Sequence, residues 1–300
     1  MTTPQAGIFA LGSTSHEYLE LDLREGVNPL DLVTGLANLR EPRTTMGGVN
    51  LVSGFRPELW RQVLPGGIPD IVTGFNRDIE GADGYVMPAT QHDAFLWLSG
   101  SAYDVIFDTT RGAISALAPV ATVATETSSW PYRHDRDLTG FIDGTKNPSL
   151  LRAPDIALIP QGKPGAGGSI LLLQKWLHDA AAWESLPESE QEKVIGRTKP
   201  DSVELDPQVE NSHVAKTDQE DFGDIFRRNM PYGDVSEHGT MFVGFAAEQR
   251  RLIGMLNSMA GRLDGARDAL TNYSSPLSGA VYFIPSAEDL RGFATDLDED

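Results

Sequence analysis

The chain has 300 residues, 40% of them hydrophobic, enough for one large or two modest domains with a real core. It carries 43 acidic against 24 basic residues, a net charge of −19, and such a surface repels phosphate backbones and anionic lipid heads. There are no cysteines, which excludes disulfides, thiolate metal sites, thiol nucleophiles and a thiolate-held haem.

Taken in order, GIFALG (7–12) and YLELDL (18–23) alternate as strands. Residues 28–39 form a helix with Leu30, Leu32, Val33 and Leu36 near helical spacing. MGGVNLVSGF (46–55) and HDAFLWLSG (92–100) come next as strands, then residues 102–117 as a helix and VATVATET (120–127) as a closing strand. The second half repeats the plan: a strand at 168–179, a polar helix at 183–195 with Pro187 and Glu188 at its start, and a strand at 239–246. A helix at 248–259 with Leu252, Ile253, Leu256 and Met259 on one stripe and a strand at 279–286 complete it. Antiparallel sheets with helices on one face, an α+β fold, are expected, with the halves divided as residues 1–137 and 138–300. The polar junction, 128–155, holds too many turn formers and charges to be a plain linker. The N-terminus shows no secretory signal and no stretch reaches a membrane span, so a cytoplasmic protein with no nucleic-acid or membrane partner is expected.

The six histidines offer no HxxxH or HExxH spacing, so a zinc helix is unsupported. His16 and His92 read as surface residues near strand edges, and His178 as a turn or cap. His213, in NSHVAKTD (211–218), gains weight from the downstream segment IFRRNMPYG (225–233). If that segment is extended, Arg227 and Arg228 point to opposite faces, and the inward one needs an anion or a developing oxyanion. The third element, GFIDGTKNP (140–148), flanks Asp143 with Gly140 and Gly144, which let backbone approach a flat ligand.

In this order, GFIDGTKNP, NSHVAKTD, IFRRNMPYG and GTMFVGFA (239–246) resemble the dye-decolourising haem peroxidases, best the short bacterial subfamily without large insertions. PQAGI (4–8), LLQKWLHD (172–179), IGRTK (195–199) and SGAVYFIPS (278–286) extend the resemblance over essentially the whole chain. The resemblance implies two ferredoxin-like halves with haem b in the C-terminal one. It implies His213 as the iron ligand, Asp143 and Arg227 as distal catalytic groups with Asn229 beside them, and Arg228 turned away. Arg197 becomes a candidate partner for a haem propionate, Gly144 and Thr145 lie at the haem edge, and Phe242 covers the distal face. Where the family has an acid next to the proximal histidine, the sequence offers Asn272, in Asn272-Tyr273-Ser274, as a neutral substitute. The activity implied is reduction of hydrogen peroxide and one-electron oxidation of small aromatic donors, dyes and phenolics, through a ferryl intermediate. Trp176, Trp183, Tyr232 and Tyr273 are candidate electron carriers for donors too large to enter. The alternative is a haem-binding or haem-handling protein of the same superfold. A homo-oligomer is expected. The acidic ending soon after the last strand suggests no encapsulating shell.

Overall fold

A computed structural model describes residues 2–40 and 48–295, so the first two positions of the strand expected at 46–55 lie outside the described residues. The first half contributes β1 (Ser15–Leu23), α1 (Pro29–Ala37), β2 (Val49–Phe55), β3 (Ala94–Gly100), α2 (Tyr103–Leu117) and β4 (Ala121–Ser129). Its strands lie in the order β2-β3-β1-β4, all antiparallel. The second half contributes β5 (Ser169–His178), α3 (Glu188–Ile195), α4 (His213–Lys216), β6 (Phe226–Arg227), β7 (Met230–Gly233) and β8 (His238–Ala246). It ends with α5 (Gln249–Met259), β9 (Ser274–Pro276) and β10 (Ala280–Ile284). Here β10, β5, β8 and β7 lie side by side in the same antiparallel arrangement. These are two ferredoxin-like halves of an α+β fold.

Two seams close the sheets into a ring. β10 meets β2 through Phe283 and Phe55, and β4 meets β7 through Ser129 and Tyr232. Strand alternation then sorts side chains into two spaces. Leu171, Leu173, Met241, Val243 and Phe245 face the ring's interior and pack with Tyr18, Phe95, Trp97 and Tyr282 from the other strands. Leu172, Gln174, Trp176 and His178 of β5, with Thr240 and Phe242 of β8, face a cavity on the outer side. The apolar face of α5, Leu252, Met255, Leu256 and Met259, is buried over that side.

Several expected elements differ. GIFALG is a 3-10 turn at Ala6–Ile8, not a strand. A Cβ at Gly7 would come within 2.5 Å of the Val52 side chain, so this segment presses flat on β2 and turns its carbonyls to Arg228. The polar helix expected over 183–195 is two helices, Ala180–Glu184 and Glu188–Ile195, broken before Pro187. His16 is not a surface residue: it is fully buried in the ring, accepts Trp97 Nε1–H at 3.2 Å, and burial drives its pKa down to about 4. Among the described residues no helix is long and apolar enough to cross a membrane.

Candidate active site

The cavity between the outer face of β5 and β8 and the layer of α4 and α5 has a volume of about 460 Å³, within the usual range for a bound cofactor or ligand. All eight residues singled out from the sequence, Asp143, Gly144, Thr145, Arg197, His213, Arg227, Asn229 and Phe242, line it.

His213 opens α4, whose N-cap Ser212 accepts Ala215 N–H. Its Nδ1 donates to Asp268 Oδ2 at 2.7 Å, and Asp268 is fully buried. The other oxygen of Asp268 caps a 3-10 turn by accepting Leu270 N–H at 2.9 Å, so the carboxylate is held at both ends. With Nδ1 engaged, Nε2 is the nitrogen available to a metal in the cavity, and an anionic partner on Nδ1 strengthens it as a donor. The loop carrying Asp268 is tied to this helix once more by Lys216 Nζ to Asp264 at 2.6 Å, and to the segment just before it by Ala269 N–H to the Asn211 carbonyl at 2.9 Å. Asn272 is therefore not the partner of His213. Its side chain faces outward, accepts from Arg267 and donates to the Ala269 carbonyl. The acid sits four residues earlier, on the near side of the turn.

The sheet wall supplies Arg227, Asn229 and Phe242. Arg227 and Arg228 do point to opposite faces. Arg228 enters the ring, donates to the carbonyls of Ile8 at 2.9 Å, Ala10 at 2.8 Å and Gly7 at 3.3 Å, and lies 4.9 Å over the Trp97 ring. Arg227 faces the cavity, and its buried Nε has no protein partner. Its backbone is clamped by Asn147, which accepts Arg227 N–H at 2.9 Å and donates to Arg227 O at 2.8 Å. Asn229 Oδ1 accepts Val243 N–H at 3.1 Å, which leaves its Nδ2 as the free donor. The Phe242 ring folds back over Gly244, where a Cβ would stand only 2.6 Å away.

Asp143 stands in the second arm of a short hairpin, with its N–H on the Asp135 carbonyl at 2.8 Å. It accepts Gly144 N–H at 2.7 Å, and Gly144 adopts φ +77°, a conformation that favours glycine. Thr145 shares a hydrogen bond with Ser202 at 2.9 Å. Arg197 is buried in the wall, donates to the Ser202 carbonyl at 2.7 Å and pairs with Glu204, which also holds Lys146 at 2.9 Å. Its charge is thus already met by a carboxylate. His178 is no cap: it faces the cavity beside Thr240, and burial lowers its pKa to about 4, so it stays neutral.

Among the described residues no three His, Asp or Glu gather as a ligand cage. One oriented imidazole on the helical wall, an acid and an arginine with unspent donors elsewhere on the cavity, and a glycine-edged rim suit a flat cofactor that brings its own metal. This class of site agrees with the comparisons. Residues 134–289 match the family described as Dyp-type peroxidase, C-terminal. A dye-decolorizing peroxidase of Rhodococcus erythropolis is 34% identical over 268 residues, covering 86% of this chain and 78% of that protein. A DypB variant of Rhodococcus jostii RHA1, solved in complex with heme, superimposes with a TM-score of 0.85 at 32% identity over 96% of this chain and 98% of its own. The encapsulated DyP-type peroxidase of Mycobacterium smegmatis, seen by cryo-EM, gives a TM-score of 0.84 at 30% identity over 97% and 98%. The chain belongs to the Dyp-type peroxidase family. Because a relative of nearly the same extent is encapsulated, the absence of a shell does not follow for this chain.

Proposed function

We propose that this chain is a haem b peroxidase that reduces hydrogen peroxide and oxidises small aromatic donors, dyes and phenolics, in one-electron steps. The observation that supports it most is the pairing of two features in one cavity: an imidazole whose Nδ1 is fixed on a buried carboxylate, and a wall that carries Asp143, Asn229 and an Arg227 whose Nε has no protein partner. The bound haem would supply the metal on which the oxygen–oxygen bond breaks. His213 would hold it through Nε2. Asp143 takes a proton from the peroxide and returns it to the departing oxygen. The guanidinium of Arg227 stabilises the negative charge that grows there. Asn229 Nδ2 orients the peroxide. A protein that merely carried haem would need neither Asp143 nor Arg227.

Electrons from large donors have a wall to cross. Trp183 and Tyr273 both line the cavity and meet edge to face with ring centroids 5.5 Å apart. Tyr232 is less suited: its hydroxyl is buried without a partner and Lys175 stands 4.4 Å over its ring. A cytoplasmic location and a homo-oligomer are proposed alongside, tested by cell fractionation and light scattering. The test of the function itself is a Soret band on the purified protein, lost in His213→Ala, together with stopped-flow reaction with peroxide. Arg227→Ala should slow that reaction at least about 100-fold. A haem-loaded wild type as unreactive as the variant would leave only a haem-binding protein.

A further inference from the structure

One acid in the cavity wall has no role in that scheme. Asp137 lies in the first arm of the hairpin whose second arm holds Asp143. Its N–H donates to the Phe141 carbonyl at 3.0 Å, while Arg136 and Ile142 form the bridge between the arms. Residues alternate in facing along each arm, so Asp137 and Asp143 share one face, as diagonal neighbours of the kind about 7–8 Å apart at Cα. Both line the cavity.

One oxygen of Asp137 is fixed: Oδ1 accepts the Thr139 N–H at 2.8 Å and the Thr139 hydroxyl. The other has no protein partner. Several of the cations around it are committed elsewhere. Arg136 donates to the carbonyls of Gly140 at 2.7 Å, Lys199 at 2.9 Å and Pro200 at 3.0 Å. Lys199 Nζ donates to Gln191 at 2.6 Å and lies over the Phe141 ring. Lys146 and Arg197 are both held by Glu204. His213, on the helical wall, is tied to Asp268, and Arg227 faces the cavity from the sheet.

We propose that Asp137 and Asp143 act as a carboxyl pair in which Asp137 keeps the proton, so that this side of the cavity carries one negative charge while peroxide is activated. The inference rests on the reading of Asp143 as the group that handles the peroxide proton. Two carboxylates on one face of a cavity do not both ionise freely, and the proton stays on the one whose burial most disfavours charge. Burial first, then the Asp143 carboxylate, pushes Asp137 up to about 6, against the Thr139 hydrogen bonds and His213, which pull it down. Below that pH Asp137 is neutral, and this side of the cavity presents one negative charge fewer to the peroxide. Above it, negative charge growing on the peroxide meets two carboxylates and one guanidinium, and the reaction slows. Asp137 touches no substrate; it is a positioning residue that sets the charge around Asp143.

The test uses the full, haem-loaded chain and infrared spectroscopy of its carboxyl groups between about pH 4.5 and 7.5. A protonated-carboxyl band should disappear with a midpoint near 6 in the wild type. Asp137→Asn should remove it, and Asp143→Asn should move it about one unit to lower pH, because the neighbouring charge is gone. Thr139→Val, which keeps both acids and removes one donor to Asp137, should move it upward. In stopped flow, the peroxide rate should fall above about pH 6 in the wild type and in Asp137→Glu, and stay level in Asp137→Asn. No carboxyl titrating in that window, or a midpoint indifferent to Asp143→Asn, overturns the pair. The infrared midpoints do not depend on turnover. A pair seen there with unchanged peroxide rates in Asp143→Asn and Arg227→Ala would instead overturn the peroxidase scheme.

Discussion

Two neighbouring arginines, each with a buried guanidinium nitrogen, have opposite uses, and substituting them should give opposite signatures. Removing Arg228 takes a charged donor from the carbonyls of Gly7, Ile8 and Ala10, of which Gly7 keeps a backbone donor, and strips a cation from the Trp97 face. A hydrogen bond from a charged donor contributes about 1.5–3 kcal/mol, but the three here share one guanidinium and one is long, so a combined loss of about 3–5 kcal/mol is expected for Arg228→Ala. With an unfolding entropy of about 2.1 cal/mol/K per residue, a chain of 300 residues has roughly 0.6 kcal/mol/K at its melting temperature, so Tm should fall by about 5–8 °C. The peroxide rate of the folded, haem-loaded Arg228→Ala should stay within about threefold of wild type, since nothing facing the cavity changes. Arg227→Ala should show the reverse, with Tm nearly unmoved and the rate down at least about 100-fold. Scanning calorimetry and stopped flow on the two proteins, side by side, decide it. An unchanged Tm in Arg228→Ala, or a larger rate loss there than in Arg227→Ala, would refute the assignment of faces.

The same geometry sets other outcomes. Asp268→Asn should raise the ferric/ferrous potential and weaken the site about 10–100-fold in activity or metal retention, whereas Asn272→Ala should leave the potential where it is; redox titration separates them. Asn147→Ala, which frees the backbone of Arg227, should slow the peroxide reaction by less than Arg227→Ala does, in the same stopped-flow assay. Gly244→Ala should push the Phe242 ring off its seat and alter the haem absorption spectrum without removing any polar group. The folded imidazole of His16 takes a proton far less readily than an unfolded one. Stability is therefore intact above about pH 6.5 and is lost as pH falls toward 4, by up to about 3 kcal/mol. His16→Gln should flatten that part of the Tm–pH curve.

The distribution of what is legible in the sequence has a physical pattern. Strands with long alternating or apolar runs, such as Ala94–Gly100 and His238–Ala246, are readable because burial on one or both faces leaves a periodic trace. The opposite facing of Arg227 and Arg228 comes from extended backbone alone. GIFALG misleads because its spacing mimics a strand, while its conformation is set by the close approach of Gly7 to Val52, a contact no local pattern records. Asp268 escapes notice for a similar reason: it stands 55 residues from His213 and looks locally like an ordinary helix-capping Asp, which it also is. Anchoring on the aromatic before Ser274 puts the expected partner at Asn272, one turn too late. Asp137 is hidden in a run of charged turn residues, and only the hairpin pairing shows that it shares a face with Asp143.

The carbonyls that receive Arg228 belong to the extreme N-terminal segment, more than two hundred residues away along the chain. The two halves share one architecture, yet they are not interchangeable parts. The first half supplies the carbonyls on which Arg228, beside Arg227 in the strand at the cavity wall, is anchored. For protein engineering this means that the C-terminal half cannot be trimmed out as a minimal peroxidase, and that circular permutants opened between the halves must keep Gly7–Ala10 within reach of that strand. Grafting new donor specificity onto the rim of the cavity, by contrast, leaves this scaffold untouched.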